Sequence, residues 1–277
     1  MKIILAIIAF FIMLSLWGFY LAIRPFRIVS SVTPKDFGVA YDNVSFRTQD
    51  NVLLRGWFIP SKQSTAKTII LLHGYPADKG DILPSRLFLH ETYNLLLFDF
   101  RYFGESEGSY STIGKYEVFD LLSAIKYLRS KKINEVGVWG LSLGGAVALM
   151  TAPQAPEIKV IVAQSSYARL DWIAYTHYRI PLLRYILGEL LRFWTGIFFQ
   201  FDIKKISPAI AVEKLTIPIL LIYSKEDRMI PIEHGLLLQQ ALQHDPNLQV
   251  IMTDQGAHGE QIKNEEQIVR DFFKRYL

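Results

Sequence analysis

The chain contains no cysteine in its 277 residues, which removes disulfides, thiolate metal sites and cysteine nucleophiles from consideration and leaves the redox compartment open. Charge is sparse as well. Asp, Glu, Lys and Arg together make up 20%, below the usual globular share of about 25%. Much of that shortfall falls in the first two dozen residues and in a greasy stretch near the middle. The net charge is +4, but basic residues are scattered, adjacent only at Lys131-Lys132 and Lys204-Lys205 before the C-terminal tail. A dense basic stripe is missing, which argues against a nucleic-acid partner. Internal repeats and low-complexity tracts are missing too. What the chain does have is 51% hydrophobic composition, which excludes disorder and suffices for one large domain with a sizeable core.

From Ile3 to Ile23 no side chain is charged, about the 20 residues an α-helix needs to cross a hydrocarbon core. Lys2 precedes this run; Arg24, Pro25 and Arg27 end it. Trp17 and Tyr20 lie near its far end, where amphipathic rings favour the lipid–water interface. Residues 1–27 are therefore expected to be a membrane anchor. A cleaved signal is the rival, but its apolar region is usually about 7–15 residues and small residues follow it, whereas Leu21-Ala22-Ile23-Arg24-Pro25 follows here. Under the positive-inside rule Lys2 competes with Arg24, Arg27 and Lys35, which leans slightly towards a cytoplasmic side for the residues that follow.

Residues 28–38 read as a linker rich in turn formers, with the folded domain at 39–277. Alternating patterns at Val39–Arg47 and Val52–Pro60 predict an antiparallel hairpin. Short, continuously apolar runs follow at Thr68–Leu72, Asn94–Phe98, Val136–Trp139, Lys159–Ala163, Ile217–Tyr223 and Leu248–Met252, as expected of strands buried on both faces. Helix-period segments lie between them, for example Tyr116–Arg129, with Val118, Leu121, Leu122, Ile125 and Leu128 spaced by three and four. Such alternation predicts an α/β fold with a mostly parallel central sheet and helices on both faces. Residues 165–207 are too long for a simple crossover and rich in aromatics, so they are expected to form an inserted helical cap. Within it Pro181–Gln200 is apolar almost all round, but Arg184, Glu189 and Arg192 argue against a second span.

The chemistry concentrates at three points. Gly140-Leu141-Ser142-Leu143-Gly144 fits G-x-S-x-G, and it sits between the buried run Val136–Trp139 and the small-residue helix start Gly145-Ala146-Val147-Ala148. That strand–turn–helix context is what a nucleophile elbow requires, with glycines flanking the serine to avoid a clash in the sharp turn. Ser142 is the candidate nucleophile; a plain Gly/Ser turn is the bland alternative. Upstream, Thr68–Leu72 runs into His73-Gly74-Tyr75-Pro76. The backbone N–H of Tyr75, paired with that of Leu143, would form an oxyanion hole, since Pro76 has no N–H. His73 is read as bracing this loop.

Two loops that leave the C-terminal ends of buried strands supply the partners, the edge where open α/β sheets place their ligands. Ile217–Tyr223 leads to Asp227, the candidate acid, and Leu248–Met252 leads to His258, the candidate base. Their chain order Ser, Asp, His fits the elbow motif. Glu226 and Asp254 are the competing acids.

With these residues in view, the stretch from about residue 40 to 277 resembles the α/β-hydrolases, in particular the BEM46-like and prolyl-oligopeptidase-like serine hydrolases. The resemblance rests on Gly56-Trp57-Phe58-Ile59-Pro60, His73-Gly74, Asp99-Phe100-Arg101-Tyr102-Phe103-Gly104-Glu105-Ser106-Glu107-Gly108, the elbow, Asp227 with Ile230-Pro231, and His258. Tyr102 stands where that subgroup usually has glycine, and Asp99 with Arg101 is read as a loop-fixing pair. The resemblance implies an α/β-hydrolase fold and hydrolysis of carboxylic esters or, less often, of peptides or amides, with no metal or organic cofactor. An aromatic cap favours hydrophobic or lipid-like esters as substrates. A serine peptidase or amidase and a non-catalytic scaffold are the competing classes.

Overall fold

The computed structural model describes residues 1–63, 67–177 and 183–277. The chain begins with α1 (Lys2–Ile23), followed by β1 (Asp42–Arg47), β2 (Leu53–Ile59) and β3 (Thr68–Leu72). Next come α2 (Lys79–Arg86), β4 (Asn94–Phe98), α3 (Glu117–Ser130), β5 (Val136–Leu141), α4 (Leu143–Thr151) and β6 (Ile158–Gln164). The residues expected as a cap hold α5 (Leu170–His177) and α6 (Leu183–Phe199), before α7 (Pro208–Ala211), β7 (Ile219–Ser224), α8 (Ile232–Ala241), β8 (Gln249–Thr253) and α9 (Glu265–Tyr276). Within the cap, Tyr178 and Pro181 lie outside the described residues.

The strands form one eight-stranded sheet in the order β1-β2-β4-β3-β5-β6-β7-β8. β2 pairs antiparallel with both β1 and β4, and the remaining pairings are parallel. Because side chains alternate across a strand, the central strands divide their residues between two cores. Ile70, Leu72, Leu96 and Phe98 face α3 and α4, joining Leu121, Ile125, Ala146 and Val147. Ile69, Leu71, Leu95 and Leu97 face α2 and α9, joining Ile82, Leu83, Phe272 and Phe273. This two-sided burial is why β3 and β4 read as unbroken apolar runs in the sequence.

The chain leaves β3 for β4 on one side and returns to β5 on the other, so a topological switch point lies between β3 and β5. In doubly wound sheets the crevice beyond the strand ends at that point is where ligands bind. The loop His73–Pro76 and Ser142 both stand there.

α1 is long and apolar enough to cross a membrane, the one such helix among the described residues. Its first half is exposed, but Ser15, Gly18, Phe19 and Ala22 are buried. At spacings of three and four these residues make one stripe, and the stripe packs on α6. Phe19 stacks on Phe198 with ring centroids 5.6 Å apart, and the Trp194 indole N–H donates to Ser15 Oγ at 3.0 Å. The expected linker is also laid along the domain, for the Ser30 N–H donates to Asp78 Oδ2 at 2.6 Å.

Candidate active site

Ser142 closes β5 and opens α4 with φ +52° and ψ −113°, a region that L-residues occupy only under strain, at about 1–3 kcal/mol. Its N–H is held by the Gln164 carbonyl at 2.8 Å. The turn is too tight for side chains on either flank: a Cβ at Gly140 would lie 2.2 Å from the Gly144 carbonyl carbon, and one at Gly144 would lie 2.6 Å from the Leu72 oxygen. Local sequence thus forces the serine to the top of the sheet, at the N-terminus of a helix whose dipole favours negative charge.

The β3 loop lies directly against this turn, since a Cβ built at Gly74 would sit 3.4 Å from Ser142 Cβ. Neither the Tyr75 N–H nor the Leu143 N–H has an acceptor among the described residues, so two backbone donors are open beside the serine. Burial raises the Tyr75 phenol above its ordinary pKa, keeping it a neutral donor, and it gives its hydrogen to the Ala22 carbonyl of α1 at 2.9 Å.

His73 is fully buried, and both its ring nitrogens are occupied. Nε2 accepts from the Phe100 N–H at 3.0 Å, which leaves the proton on Nδ1 to be donated to the Gly74 carbonyl at 2.7 Å. Burial lowers its pKa, so it is a neutral brace of the loop. His234 is likewise engaged, accepting from the Ala168 N–H at 3.0 Å.

At the end of β7, Asp227 is 3% exposed. Its Oδ1 accepts from the N–H groups of Met229 at 2.9 Å and Ile230 at 2.8 Å, and its Oδ2 lies 2.7 Å from His258 Nδ1. Burial opposes ionisation, but the hydrogen bonds from His258 and Ile230 outweigh it and hold the carboxyl below its ordinary value. The imidazole therefore has its Nδ1 proton fixed on a carboxylate, the tautomer in which Nε2 is a base. Neither competing acid reaches the ring by hydrogen bond: Asp254 pairs with Lys225 at 2.5 Å, and Glu226 accepts from the Gly256 N–H at 3.3 Å.

The histidine loop turns on Gly256 and Gly259, with φ of +108° and +77°, where a side chain would be strained. Gly259 faces Leu141, the residue before the serine; a Cβ there would lie 3.3 Å from Leu141 Cδ2. Asp227 and His258 are thus joined directly, while Ser142 and His258 are neighbours through their loops without a hydrogen bond between their side chains. Catalytic hydrogen bonds in enzymes without substrate are frequently long and tighten in the Michaelis complex.

Asp99 and Arg101 fix their loop, but not as a pair with each other. Asp99 accepts from Lys79 Nζ at 2.7 Å, the Lys79 N–H at 2.8 Å and the Glu105 N–H at 2.8 Å. Arg101 is clamped by Asp120 and Asp50. The buried lysine went unanticipated because a lone Lys at a helix start reads as solvated. Tyr102 accounts for the departure from glycine: its φ is +73°, the conformation glycine would adopt, and its hydroxyl donates to the Pro25 carbonyl at 2.7 Å. Ser165, at φ +47° after β6, also favours the Asp227 carboxylate; no motif in the sequence marks it.

The sheet order, the strained serine between β5 and α4, and the crevice at the switch point define an α/β-hydrolase. Comparison with known proteins gives the family: the model of the prolyl oligopeptidase family matches residues 106–277, and the chain belongs to that family and is a hydrolase. The Uncharacterized protein YfhR of Escherichia coli O157:H7 is 32% identical over 227 residues, 78% of this chain and 73% of its own length. Protein bem46 of Schizosaccharomyces pombe is 27% identical over 216 residues, 74% of this chain and 67% of its own. Among solved structures, the Pyrococcus furiosus esterase Pf2001 superposes with a TM-score of 0.75 at 30% identity, covering 91% of this chain and 99% of that one.

Proposed function

We propose that the protein is a membrane-anchored serine hydrolase that cleaves carboxylic esters of hydrophobic acyl groups. Ser142 attacks the acyl carbonyl while His258 takes the hydroxyl proton at Nε2, and Asp227 holds the tautomer and stabilises the imidazolium. The oxyanion that forms is received by the N–H groups of Tyr75 and Leu143. As the tetrahedral intermediate collapses, the carbon–oxygen bond to the leaving alcohol breaks and the imidazolium returns its proton to that alcohol. Water, deprotonated by His258, then attacks the acyl-serine; as the acyl–oxygen bond breaks, the imidazolium gives that proton to Ser142 Oγ, releasing the acid and free Ser142. This sequence uses no metal or organic cofactor.

The observation that carries the reading is the 2.7 Å Asp227–His258 bond on loops that abut a strained serine flanked by two open backbone donors. The likeness to the Pyrococcus furiosus esterase favours esters. The family match keeps a serine peptidase or amidase as the second reading. Anchoring through residues 1–27 is supported by the exposed apolar face of α1; with it go a hydrolase domain at 39–277 and an inserted cap at 165–207.

A panel of p-nitrophenyl acyl esters and aminoacyl amides assayed on the full chain in detergent separates the two readings. The expected outcome is an ester kcat/KM at least tenfold above that for any amide, with kcat for esters lost in Ser142→Ala by about 10³-fold or more. Faster cleavage of amides would replace the ester reading with the peptidase one.

A further inference from the structure

An apolar recess lies between the C-terminal turn of α1 and the cap. Phe19, Ala22 and Ile23 of α1 form one wall; Leu170 of α5, Leu191 and Phe199 of α6 face them. At about 50 Å³ it has room for a few methylene-sized groups, a single water needing roughly 10–15 Å³ of such space. The recess is tied to the catalytic loop, because Ala22, which lines it, accepts the hydrogen bond of the Tyr75 phenol at 2.9 Å. One tyrosine side chain therefore spans the distance from an oxyanion donor to the recess wall. A second tie runs from the Ser111 N–H to the Ile23 carbonyl at 2.9 Å.

We propose that this recess is the acyl-chain subsite, so that the N-terminal helix is a working wall of the substrate site as well as an anchor. The inference rests on the ester-hydrolase reading above and adds which part of the chain sets acyl length. Its occupant is the hydrocarbon tail of a medium-length acyl ester, since the lining is almost wholly apolar and the recess is short. The approach is apolar as well: Trp17 and Tyr20 of α1 and Phe193, Ile197 and Phe198 of α6 are exposed on the two helices that flank it. A lipid-like ester would thus meet apolar side chains on both flanking helices.

Two variants of the full chain, assayed in detergent with p-nitrophenyl acetate and p-nitrophenyl hexanoate, test this in opposite directions. Ala22→Phe fills the recess and keeps the backbone carbonyl that Tyr75 needs; the hexanoate-to-acetate ratio of kcat/KM falls by about tenfold or more. Leu191→Ala enlarges the recess and moves the preferred chain beyond hexanoate, read with p-nitrophenyl octanoate. A ratio and a preferred length unchanged in both variants, with Ser142 still reacting with a fluorophosphonate, overturn the subsite. Failure of the wild-type serine to react with the fluorophosphonate would instead remove the hydrolase reading on which the subsite depends.

Discussion

In the proposed mechanism Asp227 works through His258, to which it is hydrogen-bonded at 2.7 Å, and its replacement isolates that role. In Asp227→Asn the geometry persists but the ring is no longer held with its proton on Nδ1, so kcat falls by about 10⁴-fold with KM little changed; a drop in kcat under tenfold would show that the imidazole is oriented by something else. Histidines also set the pH dependence of stability. Burial lowers the pKa of His73 and brings that of His234 to about 4, from an ordinary 6.5. A depressed histidine favours the folded state while neutral, so its contribution is complete above pH 6.5, shrinks as pH falls and is gone below the folded-state value. For His234 the loss is on the order of 3 kcal/mol. Urea denaturation at pH 7 and pH 4.5 is expected to show a smaller drop in His234→Leu than in wild type; equal drops would contradict it. Asp227, whose carboxyl is also held below its ordinary value, loses its contribution only at lower pH, in the range of carboxylates. At this scale the positions of Ser142, Asp227 and His258 beyond strand ends were legible because each follows an apolar run with recognisable turn chemistry. Lys79, Ser165 and the separate partners of Asp99 and Arg101 were not, because ion pairs between residues distant in the chain leave no local pattern.

Among the elements, the parallel strands were visible because two-sided burial makes each a short apolar run, and their ends shifted by a residue or two where a loop residue continues the ladder. β5 runs on to Leu141, past the expected end at Trp139, because the elbow's first glycine still pairs with Ala163 of β6. The elbow is also where an element is least forgiving. Gly144→Ala places a methyl 2.6 Å from the Leu72 oxygen, forcing α4 off the sheet; a loss of about 1–3 kcal/mol of stability together with loss of esterase activity is expected, measured by denaturant midpoint and ester turnover. The brace at the start of α2 makes a parallel prediction. Lys79 and Asp99 are both buried, with Nζ to Oδ2 at 2.7 Å, and Asp99→Ala leaves an ammonium partly uncompensated. Its cost is about 3–5 kcal/mol, softened by Glu105, which lies 2.6 Å from the same Nζ. A change under 1 kcal/mol would mean that Glu105 alone satisfies the lysine.

For the molecule as a whole, α1 and the chain that follows it are not independent pieces joined by a slack tether. Ala22, Ile23 and Pro25 offer carbonyls to Tyr75, Ser111 and Tyr102, and the Arg27 guanidinium donates to the carbonyls of Gly104 and Ser106. The sequence hid this docking because Ser15, Gly18, Phe19 and Ala22 sit in a run that is apolar on every face, where a packing stripe has no polar contrast to mark it. Removal of residues 1–27 is accordingly expected to lower the melting temperature by several degrees and to weaken hydrolase activity even in detergent, where no membrane is needed; unchanged values would show that the contacts are dispensable. In the proposed mechanism one serine, activated by one histidine, carries the chemistry. Peptide mapping by mass spectrometry after reaction with a fluorophosphonate tests it most directly: the adduct is predicted on Ser142 alone and strongly slowed in His258→Ala, whereas an adduct on another residue, or equal labelling of that variant, would contradict the account.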